Sequence, residues 1–390
     1  MNRFSTKNFI SWIFPLYIVL IYYVFGFGSI GEWLLIFLAI ISFKTKTLKI
    51  KPLLYLIIFI IISDISLIFS SKGNLSSSFF NREIFQLIQM FSLFFVSNMI
   101  NSKVLKKSIY ILTIITCLGV IYHLLLISFG QSVSTISFVS FESSRFSEVA
   151  VRPLSIFPEP AAIISFLIIP LYILMNERKF FYSILLSIII LLTTSSTGVV
   201  YLLIMWSFFF YKSDYSKLTK LSTIFILSII VTIFLTNDNF ESSSKKVIYD
   251  VESLQDSDTE SLEGNIRIFS GPLLFSTLSN TQLLFGLRSS SIDDYVNNTS
   301  DSSLAMLQLE STVFLPSFWL IWASYGIVGL LLYLYIFFCF YKKNKNLAPL
   351  MLVLFVGMFI QKIALGPVFI FYTIFLISET NYHNSKSIQL

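Results

Sequence analysis

Charge is scarce in this chain. Asp, Glu, Lys and Arg make up only 12% of its 390 residues, roughly half the share of a soluble globular protein. Hydrophobic residues reach 55% and the mean hydropathy is +0.81, which argues against a water-soluble enzyme and for a polytopic integral membrane protein. Cysteine is nearly absent. Cys117 and Cys339 both lie in apolar runs, so neither a disulfide framework nor a zinc site is indicated. Histidine is as rare: His123 sits beside Tyr122 in an apolar run and reads as a satisfied interior histidine, and His383 lies near the C-terminus. No Walker loop, GxGxxG turn, zinc-protease helix or internal repeat is present, so nothing predicts a nucleotide, a metal or another cofactor. Met1 to Lys7 carries Arg3 and Lys7 but no small-residue cleavage site, and it reads as the flank of an uncleaved first span. The pI near 9.1 would suggest nucleic acid in a soluble protein. Here the placement of the charges explains it better, and no nucleic-acid partner is expected.

What is abundant is long apolar sequence. Forty-two Phe and 19 Tyr supply aromatic bulk suited to lipid and its interfaces. Runs that approach the roughly 20 residues of a bilayer span fall at about 9–27, 30–43, 52–70, 83–100, 109–128, 153–175, 180–195, 197–211, 221–236, 314–341, 347–365 and 367–379. The expected fold is all-α, with about 12 transmembrane helices and a large outer loop between spans 9 and 10. The expected divisions are a membrane domain at 1–236, an extracytoplasmic loop with short helices at 237–311, and three final spans with a cytoplasmic tail at 312–390.

Lysine sets the orientation. Alternate connections are basic: Lys44, Lys46, Lys49 and Lys51; Lys103, Lys106 and Lys107; Arg178 and Lys179; Lys212, Lys217 and Lys220; Lys342, Lys343 and Lys345. With Arg3, Lys7 and Lys386 they place both termini in the cytoplasm. Arginine does the opposite. Of seven, only Arg3 and Arg178 fall inside, whereas Arg82, Arg145, Arg152, Arg267 and Arg288 fall on the outer side. A guanidinium offers a fixed fork of donors to phosphate or carboxylate oxygens. The alternative is ordinary loop charges paired with neighbouring acids.

The outer connections carry most of the remaining chemistry. Glu142, Arg145, Glu148 and Arg152 are spaced three, three and four apart, so on a helix they would alternate acid and base along one face. Asp256-x-Asp258-x-Glu260 resembles a calcium loop only briefly, since Ser261 and Arg267 stand where glycine and glutamate are required. Gly264 to Phe269 is followed by Ser270-Gly271-Pro272 and an apolar stretch to Leu287 that is too short and interrupted to span, and that stretch predicts an interfacial or outer-face helix. Asp64 is an acid inside an apolar run, which marks a pathway, a buried partner or a snorkelling side chain.

One stretch concentrates these features: Val151-Arg152-Pro153-Leu154-Ser155-Ile156-Phe157-Pro158-Glu159-Pro160-Ala161-Ala162. Pro160 pushes Glu159 into an extended conformation and is well placed as the first residue of a helix running to about Met175, with Glu159 as its N-cap. An anion at that mouth would meet Arg152 and the positive end of a helix together. The structural alternative is a proline-stiffened start to a membrane helix, with Glu159 as a surface cap.

Arg152-Pro-Leu-Ser-Ile-Phe157-Pro-Glu159-Pro160 resembles the arginine-to-Glu-Pro motif of bacterial O-antigen and exopolysaccharide polymerases, the Wzy-type enzymes, which are related to O-antigen ligases. Thr193-Thr194-Ser195-Ser196-Thr197-Gly198 is similar to their Ser/Thr-Gly turn. Arg267, followed by Leu284-Phe285-Gly286-Leu287, and then Tyr325-Gly326-Ile327-Val328-Gly329 match in the same order. The chain departs from the ligases in lacking a histidine late in the large loop, where Glu310 and the Asp293-Asp294 pair are the nearest acids.

The resemblance implies a metal-independent glycosyltransferase of the bacterial cytoplasmic (inner) membrane, acting on the extracytoplasmic face in surface or lipopolysaccharide biosynthesis. It would transfer a growing glycan from undecaprenyl diphosphate onto a lipid-linked repeat unit. Its partners would be undecaprenyl-diphosphate-linked oligosaccharide and membrane lipid, with a chain-length regulator protein left open as a further one. A diphosphate leaving group needs cationic donors positioned beforehand, which nominates Arg152 and Arg267, then Arg145, Arg82 and Arg288. The acceptor hydroxyl needs a base, which nominates Glu159, with Glu148 or Glu310 as alternatives. The rival expectations are an O-antigen ligase and a flippase or transporter of lipid-linked oligosaccharide.

Overall fold

The computed structural model describes residues 5–25, 28–43, 51–70, 77–136, 152–193, 195–212, 266–287, 292, 295–296, 315–361 and 366–387, with the backbone alone described at 24–25, 51–52, 63–70, 77–85, 196, 212, 266–270 and 383–387. The expected span at 221–236 and the acidic stretch 250–263 lie outside the described residues.

These residues are mostly helical. In order, the helices are α1 (Thr6–Ile13), α2 (Tyr17–Leu20), α3 (Ile30–Ser42), α4 (Lys51–Ser70), α5 (Ser77–Asn98), α6 (Ser102–Ser128), α7 (Pro160–Asn176), α8 (Phe180–Leu192), α9 (Ser196–Lys212), α10 (Ile266–Thr277), α11 (Asn280–Phe285), α12 (Ser317–Lys343), α13 (Ala348–Ile360) and α14 (Pro367–Ser387). Among the described residues, two of them, α6 and α12, are long and apolar enough to cross a membrane. That is coarser than the dozen spans the sequence suggests.

The differences from expectation have local causes. The first run, 9–27, is not one helix: Pro15 lacks the amide hydrogen of a helical turn and sits in a 3₁₀ turn at Phe14–Leu16. The chain beyond α2 then forms a two-residue antiparallel ladder, Val24 opposite Ser29 and Phe25 opposite Gly28. Helices α5 and α6 start six and seven residues earlier than the apolar runs at 83 and 109. Arg82, Lys103, Lys106 and Lys107 are therefore helical residues rather than loop residues. Helix α14 runs on to Ser387, eight residues past its apolar run. Polar residues continue a helix as readily as apolar ones, so hydropathy alone misses such extensions.

The described chain divides into two compact units. One comprises Met1–Ile10, Glu32–Ser102 and Asp258–Leu390, and the other Ser11–Gly31 and Lys103–Ser257.

In the first unit, α12 is the helix on which others pack. Phe318 stacks on Phe359 of α13 with ring centroids 4.5 Å apart. Tyr333 meets Phe369 of α14 at 5.0 Å. A methyl group on Gly329 would lie 3.1 Å from Cε1 of Phe59, so glycine lets α4 approach closely. Helix α14 is buried on every face from Phe369 to Thr380, and its Glu379 carboxylate accepts from the Ser102 hydroxyl.

In the second unit the central helix is α7, buried without interruption from Ala162 to Met175. It begins at Pro160 and ends at Asn176, one residue from the expected end. Helices α8 and α9 flank it. Gly198 brings α9 close, since a Cβ there would sit 2.9 Å from Cδ1 of Ile164. Trp206 Nε1 donates to Ser187 Oγ at 3.0 Å between α8 and α9.

Helix α6 exposes more apolar surface than a water-facing helix does. Ile111, Ile114, Ile115, Leu118, Ile121, Tyr122 and Leu125 form an exposed apolar stripe, while Thr113, Thr116 and His123 are buried. Val328, Leu331, Tyr335 and Phe338 make a similar exposed stripe on α12. Water would penalise such surfaces at about 25 cal/mol per Å² of apolar area.

Helix α12 is broken at Gly326, whose φ of 66° and ψ of −176° lie in a region open essentially to glycine. A Cβ there would meet the Leu284 carbonyl oxygen at 2.1 Å. Gly326→Ala is expected to destabilise the chain by about 1–3 kcal/mol from backbone strain alone, with the steric conflict adding to it. Thermal unfolding of the purified variant checks this, and an unchanged midpoint would contradict it.

Candidate functional site

The loop before α7 must satisfy its backbone inside packed protein. Pro153, Leu154, Ser155, Ile156 and Phe157 are all buried, and a buried amide without a partner is costly. Pro153 and Pro158 bring no donor. Those of Leu154 and Ser155 both point to Nδ1 of His123, each at 3.1 Å. The Phe157 amide turns back onto the Leu154 carbonyl at 3.1 Å, and the Ser155 carbonyl accepts from Ile136 at 2.8 Å. Ser155 Oγ donates to the Thr116 carbonyl at 2.9 Å. Ser155 itself adopts φ 55°, a left-handed conformation that few non-glycine residues take. Gly119 makes room for it, because a Cβ at that position would lie 2.2 Å from Ser155 Oγ. Phe157 anchors the far end, stacked on Phe166 at 5.7 Å and edge-on to Tyr22 at 6.2 Å.

This pinned loop carries the two ionic groups that the sequence singles out. Arg152 is half-buried at its start and Glu159 is exposed at its end. Glu159 is extended (φ −147°, ψ 151°) and its carbonyl accepts from Ala162 and Ile163, yet its carboxylate makes no capping hydrogen bond. Glu159 is thus the N-cap residue of α7, as expected, and caps through its backbone carbonyl and not its side chain. Its carboxylate is near enough to Tyr22 to act on that hydroxyl electrostatically. Among the described residues neither Arg152 nor Glu159 is engaged in an ion pair. A carboxylate and a guanidinium remain available at the mouth of a buried helix.

The other resembling motifs come together in the first unit. Helix α11 begins with a capping box: Ser279 and Gln282 exchange hydrogen bonds. It ends at Gly286, whose φ of 81° allows the chain to press against the break in α12. The Leu287 amide donates to the Ala323 carbonyl at 2.6 Å, and Trp322 Nε1 to the Leu283 carbonyl at 3.0 Å. A Cβ on Gly286 would fall 2.4 Å from the Ser324 carbonyl oxygen. Leu284-Phe285-Gly286-Leu287 and Tyr325-Gly326 are thus two sides of one backbone contact. Helix α10 docks on the same helix: Phe275 lies 5.0 Å from Trp319 and 4.5 Å from Trp322, and Gly271 admits the Trp319 ring. Arg267 is the second residue of α10, so its backbone belongs to that docked platform.

Arg82 is the sixth residue of α5. Arg145, Arg288, Glu148, Glu310 and the Asp293-Asp294 pair lie outside the described residues, as does the side chain of Asp64. Among the described residues no three His, Cys, Asp or Glu side chains gather as metal ligands would.

Two residues escaped the sequence reading. His123 is buried, as expected of an interior histidine, but its partners are the backbone of the very loop that carries Arg152 and Glu159. Glu32, in the first turn of α3, accepts from Gln89 Nε2 of α5 at 2.5 Å. An acid opening an apolar run is visible in sequence; its partner 57 positions away is not.

Gly119→Ala is expected to displace Ser155 and lower the thermal stability of the purified protein. Adding Ser155→Gly removes the obstructing hydroxymethyl group and suits the left-handed backbone, so the double variant should recover most of the loss. Additive losses would show that the two positions do not meet. Comparison with protein-family models finds no match for this chain, and comparison with curated proteins finds none either.

Proposed function

We propose that this chain is a polytopic membrane glycosyltransferase of the surface-polysaccharide polymerase type. It uses the Arg152–Glu159 loop to transfer a glycan from a polyprenyl diphosphate carrier to a lipid-linked acceptor. The observation that carries the reading is the pairing of rigidity with unused charge. A buried loop, pinned to α6 through His123, Thr116 and Gly119, presents a half-buried guanidinium and an exposed carboxylate that no described neighbour neutralises.

The chemistry follows from those two groups. The acceptor hydroxyl attacks the anomeric carbon, forming a new C–O bond as the bond to the diphosphate oxygen breaks. Glu159 takes the hydroxyl proton. Arg152 faces the charge that develops on the departing diphosphate, as a preorganised donor that needs no reorganisation during the step. Arg267, on the α10 platform, is the second cation of this reading. Arg145, Arg82 and Arg288 stand behind these two, and Glu148 and Glu310 are the alternative bases.

The membrane setting is part of the same proposal. What supports it is the exposed apolar stripes on α6 and α12, since a lipid surface accommodates stripes that water penalises. About 12 spans, a cytoplasmic location for both termini and an outward-facing site in a bacterial inner membrane complete the reading. One observation favours a transporter of lipid-linked sugars instead: the break in α12, because discontinuous helices build substrate and ion sites in transporters. In this chain the backbone of Leu284 to Gly286 fills that break.

Arg152→Ala and Arg267→Ala should each abolish long-chain glycan made from a defined lipid-diphosphate oligosaccharide, with the protein still present in the membrane. Normal chain-length ladders from both variants would remove the catalytic assignment. Chelation should leave the purified activity unchanged, and restoration of a chelated sample by a divalent ion would reveal a metal requirement.

A further inference from the structure

We infer that His123 is a positioning residue for the proposed site, locked as the neutral Nε2–H tautomer so that its Nδ1 lone pair can hold the Arg152–Glu159 loop. This rests on reading that loop as the site of glycosyl transfer.

The geometry points to this role from three sides. Two consecutive amides, Leu154 and Ser155, converge on one nitrogen at equal distances of 3.1 Å. Nδ1 can accept from them only without a proton of its own, so in the neutral ring the hydrogen resides on Nε2. Successive backbone N–H groups that open into a left-handed residue form a concave nest of positive potential. Ser155 supplies that residue with its φ of 55°, and the imidazole lone pair fills the concavity. The rest of the seat comes from the same helix face. Thr116, Gly119 and His123 lie at intervals of three and four along α6, bringing a carbonyl acceptor, a bare Cα and the imidazole to the loop. Arg152 is two residues before the pinned pair and Glu159 four residues after it, so a shift of the anchor moves both charged groups. His123 touches neither substrate nor the reacting atoms in this account. It acts through the loop.

The chain has two histidines, so selective 15N-histidine labelling of the full-length protein yields two imidazoles, and His383→Ala assigns them. His123 is expected to show Nδ1 unprotonated and Nε2 protonated, without averaging. The opposite tautomer, or rapid exchange between the two, would overturn the anchor.

The functional arm uses three substitutions. His123→Asn places a carbonyl oxygen where Nδ1 stood and should retain most glycan extension. His123→Gln carries its carbonyl one methylene too far, and His123→Leu has no acceptor. Both should fall about 100-fold, the penalty of a reacting group misplaced by about 1 Å, at equal protein levels. Equal activity across all three would overturn the positioning role. Should the leucine variant not accumulate, the asparagine–glutamine pair decides alone. Should the unaltered protein extend no glycan while the expected tautomer is found, the polymerase reading falls, and His123 is reduced to a structural pin.

Discussion

A loop that runs through packed protein must place every amide it owns, and the Arg152–Glu159 segment has little freedom to do so. Three prolines remove donors and fix φ. Leu154 to Phe157, between the first two, are buried and cannot turn to water. The free amides of Leu154 and Ser155 are the critical ones, because no carbonyl of a regular ladder lies opposite them. A neutral imidazole on α6 receives both. Once that bond is made, the left-handed Ser155, the glycine facing it and the stacked Phe157 are parts of one arrangement. The charged groups at either end inherit its position.

The other unit solves a related problem by a different route. Where α11 meets α12, the contact is mainly backbone on backbone, with Trp322 Nε1 adding a bond to the Leu283 carbonyl. Two glycines with positive φ let backbone touch backbone, and the Leu287 amide closes onto the Ala323 carbonyl. The break in α12 therefore serves the packing of the preceding helix. A turn that leaves its own hydrogen-bond ladder finds partners on the neighbour, as discontinuous helices must wherever water is excluded. Aromatic rings extend the contact: Phe275 wedges beside Trp319 and Trp322, which lie parallel at 6.1 Å. Both units thus satisfy buried backbone groups within their apolar interiors.

How much of this was legible in the sequence depends on the range of the interaction. Pro160 as a helix start was legible because proline fixes φ before the chain folds, and the observed α7 begins there. Most helices fall where apolar runs lie, since burial on at least one face shapes composition locally. The ends of α5, α6 and α14 were not legible: hydropathy reports burial, and Arg82, Lys103 and Asn381 continue a helix without contributing apolar surface. Nor was the purpose of Gly119 or His123. A lone glycine and a lone histidine in an apolar helix carry no local signature of a serine some 30 residues later. The order of Leu284-Phe285-Gly286-Leu287 and Tyr325-Gly326 could be read as two motifs, but only the fold makes them a single contact.

The distribution of charge follows from the same constraint. An ion inside either unit would have to bring its own partner, and the described interior shows what that takes. Glu379 holds the Ser102 hydroxyl, and Glu32 holds the Gln89 amide. Glu159 has no such companion among the described residues and is exposed. Arg152 is intermediate, with part of its long side chain covered and no acid paired to it among the described residues. A guanidinium in that position gives up some hydration and has no acid paired to it among the described residues, which in the proposed reaction leaves it open to an arriving anion. In the proposed reaction a diphosphate would supply counter-charge to a group carried on a loop that the fold has already ordered. The ordering penalty is then met during folding, through His123 and the prolines, rather than at each turnover.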